Sequence, residues 1–347
     1  MKLIVQIPCY NEEGTLRQTL ADIPRAIEGV DEVEVLIIDD GSTDRTVPLA
    51  LQLGVDHIIQ HRNNKGLARA FRSGLEACLA LGADIIVNTD GDNQYAGWHI
   101  PRLIRPILAG EADIVIGDRQ TQKIPYFSPL KKQLQKLGSA AVRLLSGTDV
   151  PDTVSGFRAL SREAAMQINI VSPFSYTIEM LIQAGRKQMA VTAVPIDTNL
   201  PTRGSRLFKS IPNFVQRSGS TMVRMYSMYQ PLKTFLLIGM TVSAVGLLPI
   251  LRFLYFYANG EGQGHVQSLV LGGTFLVIGL TTFLIGLVAD LIGFNRQLIE
   301  MTLEKVRCLE LTQGELNQAL AKRADEEPQT DTRREDARSS GIRKKTA

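Results

Sequence analysis

Two long apolar runs near the C-terminus constrain this chain more than any other feature of its sequence. Residues 235–258 carry one charge, Arg252, and residues 266–289 carry none. A polar stretch, residues 259–265, separates them. A helix needs about 20 apolar residues to cross the ~30 Å hydrocarbon core of a bilayer. The sequence therefore predicts a hairpin of two membrane-spanning helices over residues 233–289, in preference to two buried helices of a soluble protein.

Basic residues are unevenly distributed around these runs. Between Asp197 and Glu261 there is no acidic residue and there are seven basic ones, six of which precede the first run. The polar stretch between the runs has no Lys or Arg. Because basic segments are retained in the cytoplasm, we expect a protein of the cell inner (plasma) membrane with this loop outside and both termini cytoplasmic. The N-terminus does not resemble a signal peptide, so we expect the N-terminal domain to be cytoplasmic.

Composition excludes several classes of protein. The chain has 347 residues, of which 44% are hydrophobic and 21% charged. It can bury a large core, and it is neither mainly disordered nor a coiled-coil rod. A net charge of +3 is too small to indicate a nucleic-acid partner. The three cysteines are far apart, and none of the four histidines pairs with a cysteine at metal-ligand spacing, so disulfides and a zinc site are not expected.

Strand and helix patterns alternate through the first 120 residues. Strands are predicted at residues 3–7, 33–38, 57–59, 84–87 and 113–116. The helices between them are predicted from a capping box at Thr15 to about Ile27, up to Leu53, at 66–81 and at 100–108. Repeated βαβ units predict the α/β class, with a parallel sheet covered on both faces.

Carboxylates directly follow three of these strands. They are Glu12, the Asp39-Asp40 pair, and Asp90 with Asp92. Ligands of open α/β sheets bind along this edge, where the acidic loops would repel a nucleotide's phosphates unless a divalent cation bridged them. In an extended loop, residues two apart face the same way, which suits a metal site. Turn formation alone explains any single loop, but the three together favour a cation-assisted phosphate site.

Five motifs occur here in the order typical of family 2 glycosyltransferases. They are Ile-Pro-Cys-Tyr-Asn-Glu-Glu at 7–13, Asp-Asp-Gly-Ser-Thr-Asp at 39–44, Lys-Gly at 65–66, Asp-Gly-Asp-Asn-Gln at 90–94 and Ser-Gly-Phe-Arg at 155–158. Over roughly residues 1–230 the chain resembles this family, and most closely its polyprenyl-phosphate branch, the dolichyl-phosphate mannose or glucose synthase type. The resemblance implies a GT-A fold, a Rossmann-like and mostly parallel sheet domain, followed by amphipathic interface helices and two transmembrane helices.

The resemblance also implies a domain division and a donor site. A catalytic domain would occupy residues 1–230; the apolar runs predict the hairpin at 233–289, and the polar, mixed-charge end of the chain predicts a cytoplasmic helix with a disordered tail over 290–347. Asp92 and Gln94 match the family's ligands for Mg²⁺ or Mn²⁺, and Gly91 stands where alanine is commoner. The positions that match nucleotide-sugar contacts are Pro8, Tyr10, Glu12, Ile38, Asp40, Asp90, Asp92, Arg203 and Arg206.

Catalytic and acceptor roles follow from the same resemblance. Asp152, Arg119 and Asp90 match catalytic positions. Asp152 is expected either to act as a base or to orient a neighbour, because a lipid phosphate is already ionised near pH 7. Arg119 is also expected to contact the acceptor phosphate, together with Lys131 and Lys132.

A second acid-free stretch favours contact with lipid. Between Asp118 and Asp149 there are six basic residues, interleaved with leucines. This pattern predicts a basic amphipathic helix at the membrane surface over about 128–145. An ordinary surface helix is the alternative. Residues 210–229 are a second candidate of the same kind.

The implied activity is inverting transfer of a hexose from UDP-glucose or GDP-mannose to an undecaprenyl or dolichyl phosphate. An inactive, membrane-anchored nucleotide-sugar binding or scaffold protein remains an alternative, as does a family 2 enzyme with another acceptor. A processive synthase is disfavoured because Trp98 is the only tryptophan and no Gln-x-x-Arg-Trp occurs. A dehydrogenase is disfavoured because no Gly-x-Gly-x-x-Gly follows the first strand. A homo-oligomer is left open.

Overall fold

The computed structural model describes residues 1–122, 129–171, 175–200, 216, 219–220, 229–260 and 262–326. The chain divides into two compact units, Met1–Thr302 and Leu303–Ala347. The strands are β1 (Lys2–Cys9), β2 (Glu32–Asp39), β3 (His57–Gln60), β4 (Ile85–Asn88), β5 (Ile114–Asp118), β6 (Arg158–Ser161) and β7 (Val191–Pro195). The helices are α1 (Leu16–Ala21), α2 (Thr46–Gln52), α3 (Leu67–Ala80), α4 (Ile100–Leu108), α5 (Pro129–Ser146), α6 (Arg162–Gln167), α7 (Tyr176–Arg186), α8 (Pro231–Ala258) and α9 (Val266–Glu326).

The strands form one seven-stranded sheet in the order β3-β2-β1-β4-β6-β5-β7. β1 is parallel to both β2 and β4, and β5 is parallel to β7. Among the described strands, β6 alone runs antiparallel, and it does so against both β4 and β5. The sheet is therefore mostly parallel, as the sequence predicts, with one reversed strand near its centre.

Burial on both faces explains the composition of the central strands. Leu3, Ile4 and Val5 of β1 are consecutive and completely buried, as expected for a strand covered by helices on either side. On α4, apolar residues recur every three or four positions and face this core, and they are Ile100, Leu103, Ile104 and Ile107. The sheet is thus covered on both faces, and α4 packs on the face that carries Leu3 and Val5.

The first helix differs from the prediction. α1 ends at Ala21 and not near Ile27, which instead forms an isolated bridge with Val30. Thr15 precedes the helix but makes no capping hydrogen bond with its side chain. Its hydroxyl instead donates to the carbonyl of Gly91 at 2.7 Å. A tertiary contact has therefore replaced the local capping box.

Two described helices, α8 and α9, are long and apolar enough to cross a membrane. They pack through a line of glycines that we call the glycine seam, formed by Gly239 and Gly246 of α8 and by Gly272, Gly279 and Gly286 of α9. A Cβ at Gly279 would lie 2.8 Å from the Gly239 carbonyl oxygen, and one at Gly246 would lie 2.9 Å from that of Gly272. Only glycine permits so close an approach of the two backbones.

Candidate active site

Two loops at the carboxyl edge of the sheet are held together by hydrogen bonds. The Asn11 backbone N–H donates to Ser42 Oγ at 2.9 Å, and the Thr43 N–H donates to Asn11 Oδ1 at 2.8 Å. The Glu12 N–H donates to Thr46 Oγ1 at 2.8 Å. The loop after β1 and the loop after β2 therefore behave as one unit. Tyr10 projects from it and is exposed.

Asp40 is almost completely buried beneath these loops. Its carboxylate accepts hydrogen bonds from the backbone N–H groups of Lys65 and Gly66, at 2.9 and 2.8 Å. It also lies 2.7 Å from His61 Nδ1. The carboxylate thus holds the turn that begins α3. Ile38 is part of the core, and the nucleotide contact expected of these two residues stays a prediction. Pro8 and Glu12 are also buried at this edge.

The loop after β4 carries the predicted metal ligands. Burial, the neighbouring Asp92 and Glu12 together raise the pKa of Asp90 to about 7, although Arg119 opposes the shift. Asp92 Oδ1 accepts the N–H of Gln94 at 3.0 Å. This concentration of negative charge favours a bound cation.

A divalent cation fits this loop if the substrate completes its coordination. The described part of the chain contains no group of three or more His, Cys, Asp or Glu side chains able to hold a metal. Mg²⁺ is commonly held by one or two protein carboxylates, with phosphate oxygens and water completing the shell. Asp92 and Gln94 supply oxygen donors of that kind. The buried Oδ1 of Asn93 has no hydrogen-bond partner among the described residues.

The same loop is anchored to α1 through Gly91. The hydroxyls of Thr15 and Thr19 both donate to the Gly91 carbonyl, at 2.7 and 3.2 Å. A Cβ at position 91 would lie 3.0 Å from Cys9 Sγ and 3.1 Å from Glu12 Cγ. Glycine therefore lets this loop, residues 89–94, lie directly on the loop after β1, and we call it the metal loop for its predicted ligands. Alanine at position 91 would require Glu12 to move slightly.

Gly156 forms the floor beneath Asp90. Its N–H donates to the hydroxyl of Tyr95 at 2.8 Å, and its carbonyl accepts from Asn88 Nδ2 at 2.8 Å. A Cβ on Gly156 would lie 3.1 Å from both carboxylate oxygens of Asp90. The Ser-Gly-Phe-Arg motif thus supplies a side-chain-free surface for the carboxylate.

Arg119 and Asp152 form a buried bidentate ion pair. Arg119 Nε donates to Asp152 Oδ2 at 2.7 Å, and Nη2 donates to Oδ1 at 3.0 Å. Burial disfavours the cation, but Tyr95 and Asp152 hold the pKa of Arg119 above its ordinary value. A permanently charged guanidinium with a fixed orientation is suited to binding an anion.

Of the predicted acceptor lysines, the structure describes the side chain of Lys132. Its Nζ donates to the carbonyl of Gln122 at 2.8 Å. The side chain of Lys131 lies outside the described residues, as do Arg203 and Arg206. So does most of the second interface helix predicted at 210–229.

α5 is the amphipathic helix predicted at 128–145. Leu137 and Leu144 are 61% and 85% exposed, whereas Ser139 and Val142 on the opposite side are buried. The helix contains no acidic residue. An apolar ridge flanked by basic side chains is therefore present, while contact of this ridge with a membrane stays a prediction.

Arg158 is a buried residue whose role sequence reasoning did not identify. Its guanidinium donates to the carbonyls of Ser155, Thr177 and Thr153 at 2.8, 2.9 and 2.8 Å. Burial lowers its pKa to about 10. It ties the loop that carries Asp152 to the start of α7. The only sequence signal is its place at the end of the Ser-Gly-Phe-Arg motif.

Comparison with known proteins agrees with this geometry. Residues 4–168 match the family described as "Glycosyl transferase family 2". A UDP-N-acetylglucosamine–dolichyl-phosphate N-acetylglucosaminyltransferase of Methanococcus voltae is 30% identical over 213 residues, which are 55% of this chain and 83% of the relative. An undecaprenyl-phosphate mannosyltransferase of Micrococcus luteus is 27% identical over 206 residues, 56% of this chain and 83% of the relative.

A solved structure shares the fold of the sheet domain. Glucosyl-3-phosphoglycerate synthase of Mycobacterium tuberculosis, in complex with Mn²⁺, UDP and phosphoglyceric acid, matches with a TM-score of 0.50 and 20% sequence identity. The match covers 65% of this chain and 77% of the synthase. The likeness establishes the GT-A fold that the sequence predicts.

Proposed function

The chain belongs to glycosyltransferase family 2, and we propose that it transfers a hexose from a nucleoside diphosphate sugar to a polyprenyl phosphate at a membrane. UDP-glucose and GDP-mannose are the proposed donors. One observation carries the proposal: Tyr95, next to the carboxylate loop after β4, contacts Gly156 beneath Asp90 through its hydroxyl and lies 6.0 Å from Arg119 of the buried Arg119–Asp152 pair through its ring. A cation site for a leaving diphosphate and an arginine site for an acceptor phosphate are thus adjacent.

The relatives support the lipid acceptor. Two of them are named for transfer to dolichyl and undecaprenyl phosphate. Helices α8 and α9 suit an enzyme whose acceptor lies in a bilayer. We propose that both helices cross it, that the catalytic domain covers residues 1–230, and that this domain and both termini are cytoplasmic.

Donor activation would depend on the acidic loops. Asp92 and Gln94 would hold a divalent cation, Mg²⁺ or Mn²⁺, which would neutralise charge developing on the leaving diphosphate. Asp90 lies between this loop and the floor at Gly156, where it can accept hydrogen bonds from the sugar. Tyr10, exposed on the loop after β1, would contact the nucleotide base.

The geometry favours an orienting role for Asp152. Both of its oxygens already accept hydrogen bonds from Arg119. A phosphate monoester has a second pKa near 6 and is largely a dianion at pH 7. Its oxygen can attack the anomeric carbon without losing a proton to the protein. Arg119, held by Asp152 through Nε and Nη2, would use Nη1 to bind the acceptor phosphate, which would enter opposite the leaving group and invert the anomeric centre.

The competing proposal is an inactive protein that binds nucleotide sugar. It is less well supported because the residues expected to contact metal and phosphate all carry competent groups and because Arg119 and Asp90 are brought close enough to influence each other's charge. A family 2 enzyme with a different acceptor would keep the donor site and lose the need for the exposed ridge on α5.

A transfer assay tests the proposal. Membranes containing the full chain are incubated with polyprenyl phosphate, Mn²⁺ or Mg²⁺, and a panel of radiolabelled nucleotide sugars. We expect label from one donor to enter the organic phase, and no label with the Asp92→Asn variant. Nucleotide-sugar binding without transfer to any polyprenyl phosphate would favour the inactive protein. Transfer of label to a water-soluble product other than the donor would indicate another acceptor.

A further inference from the structure

Tyr95 connects the two halves of the site and has no role in the proposal so far. It follows Gln94 directly in the chain and is 3% exposed. Its backbone forms an antiparallel bridge with Thr198, beside a hydrogen bond of 3.0 Å from the Asn199 N–H to the Gln94 carbonyl. A side chain so fully enclosed cannot easily contact a substrate, so its contacts within the protein define what it can do.

The hydroxyl of Tyr95 supports the metal loop through Gly156. It accepts the Gly156 N–H at 2.8 Å, and Gly156 is the floor on which the Asp90 carboxylate rests. Without this acceptor, the N–H would be buried and unpaired, which costs free energy unless the peptide moves. Movement of the Gly156 peptide would displace the Asp90 carboxylate. The electrostatic environment of Asp92 would then change as well.

The ring of Tyr95 lies close to Arg119, the arginine proposed to bind the acceptor phosphate. The Tyr95 ring stacks on that of Phe157, with the ring centroids 5.4 Å apart and the ring planes inclined by 14°. The Arg119 guanidinium carbon lies 6.0 Å from the Tyr95 ring centroid. A cation held near an aromatic ring is attracted by the ring's quadrupole. The ring therefore helps, together with Asp152, to hold Arg119 in place.

We propose that Tyr95 is a positioning residue that sets the metal loop and the acceptor arginine at one fixed separation, its hydroxyl acting on the donor half and its ring on the acceptor half. The inference rests on the proposed function for the identity of the acceptor, but the hydroxyl contact concerns metal and nucleotide alone. The two effects can be separated because one substitution removes the hydroxyl and keeps the ring.

The chain offers a matched control in Ser161, at the opposite end of β6 from Gly156. It is buried, and its hydroxyl accepts the Ala164 N–H at 3.1 Å. Tyr95→Phe and Ser161→Ala therefore each remove one buried hydroxyl that accepts a backbone N–H. The full chain is purified in detergent, and Mn²⁺ binding is measured by calorimetry in the presence of UDP or GDP. Thermal unfolding is recorded in parallel.

We expect Tyr95→Phe to weaken Mn²⁺ binding about ten-fold, the usual effect of losing a group that supports a metal ligand, and Ser161→Ala to change it less than two-fold. The two variants should lose similar thermal stability. In the transfer assay, Tyr95→Phe should keep the acceptor KM, whereas Tyr95→Leu, which lacks the ring, should raise it several-fold.

Equal Mn²⁺ binding by Tyr95→Phe and Ser161→Ala would overturn the role of the hydroxyl, and an unchanged acceptor KM in Tyr95→Leu would overturn that of the ring. If Tyr95→Leu does not fold, the inference is decided by Tyr95→Phe. Should the wild-type chain bind Mn²⁺ with nucleotide but transfer nothing to polyprenyl phosphate, the proposed function fails while the calorimetric result still tests Tyr95.

Discussion

Apolar side chains occupy opposite places in the sheet domain and in the hairpin of α8 and α9. In the sheet, Val5 and Ile37 are completely buried, whereas in the hairpin Leu237 and Leu280 are 69% and 60% exposed. The interior of the hairpin is instead the glycine seam. The sheet domain is stabilised by removing apolar area from water. A helix pair in lipid gains nothing in that way and depends on close backbone packing.

The two regions also differ in where their polar groups lie. The sheet domain collects carboxylates and buried arginines at one edge, among them the Arg119–Asp152 pair. In the hairpin, Thr241 donates to the Leu237 carbonyl at 2.8 Å and Thr281 to that of Val277 at 2.8 Å, each within its own helix. We therefore propose that the sheet domain carries out the chemistry and that the hairpin holds it at the membrane.

The largest expected effect is the presence or absence of chemical labelling, which reports the orientation of the hairpin in the membrane. A Gly264→Cys thiol should react with a membrane-impermeant maleimide added to intact cells, because position 264 is open and lies in the loop proposed to be outside. The native Cys308 should react only after permeabilisation, and Cys9 and Cys78 are buried. Labelling of Cys308 in intact Gly264→Cys cells, with Gly264→Cys protected, would reverse the orientation.

The next largest effect tests whether the chemistry is confined to the sheet domain. Asp92→Asn should lower turnover at least about 100-fold, the loss typical when one stabilising group for developing charge is removed. Membrane insertion and thermal stability should not change. The control is Asp31→Asn, an exposed carboxylate paired with the N-terminal amine, which should keep full turnover. Wild-type turnover of Asp92→Asn in the presence of a chelator would contradict the metal assignment.

A third experiment tests the interior of the hairpin. Gly279→Leu places a side chain against Gly239 and Ser243. A Cβ at Gly273, on the same helix, would meet nothing within 4 Å, so Gly273→Leu is the control. Overpacking costs about 1–3 kcal/mol, so the first variant should unfold at a temperature several degrees lower in detergent. The second should change stability by less than about 0.5 kcal/mol. Equal melting temperatures would show that the seam is not a packed interface.

The smallest effect concerns the ridge on α5, where the two regions are proposed to meet the same bilayer. Replacing Leu137 and Leu144 by Ser should raise the apparent acceptor KM only a few-fold, because α8 and α9 would keep the protein at the bilayer and little of the ~1.5–3 kcal/mol that a fully buried leucine contributes would be lost. Leu51→Ser is the matched control, since Leu51 is equally exposed but lies on α2. An unchanged KM in the double variant would make α5 an ordinary surface helix.

Local patterns predicted much of this fold. The parallel strands β1 to β5 follow from apolar runs, and the acidic loops meet at one edge because those strands are parallel. β6 was not predicted, because its four residues, Arg158–Ser161, have no periodicity and become a strand only by pairing with β4 and β5. Interactions between residues far apart in sequence decide such elements.

The candidate site was predicted unevenly for a similar reason. Asp90, Asp92 and Asp152 stand out by motif, but the contacts that position them do not. Thr15 was predicted to cap a helix, yet its hydroxyl bonds the metal loop 76 residues away. Tyr95 appears in sequence as one aromatic residue after Gln94, and its contacts with Gly156 and Arg119 become visible only in three dimensions.

The glycine seam has a consequence for how the protein is made. Gly272, Gly279 and Gly286 recur every seven residues on α9, which keeps them on one side of the helix. Each helix is apolar enough to enter the bilayer on its own. Insertion during synthesis can therefore precede pairing, and the seam would act afterwards as the step that commits the two inserted segments to one another.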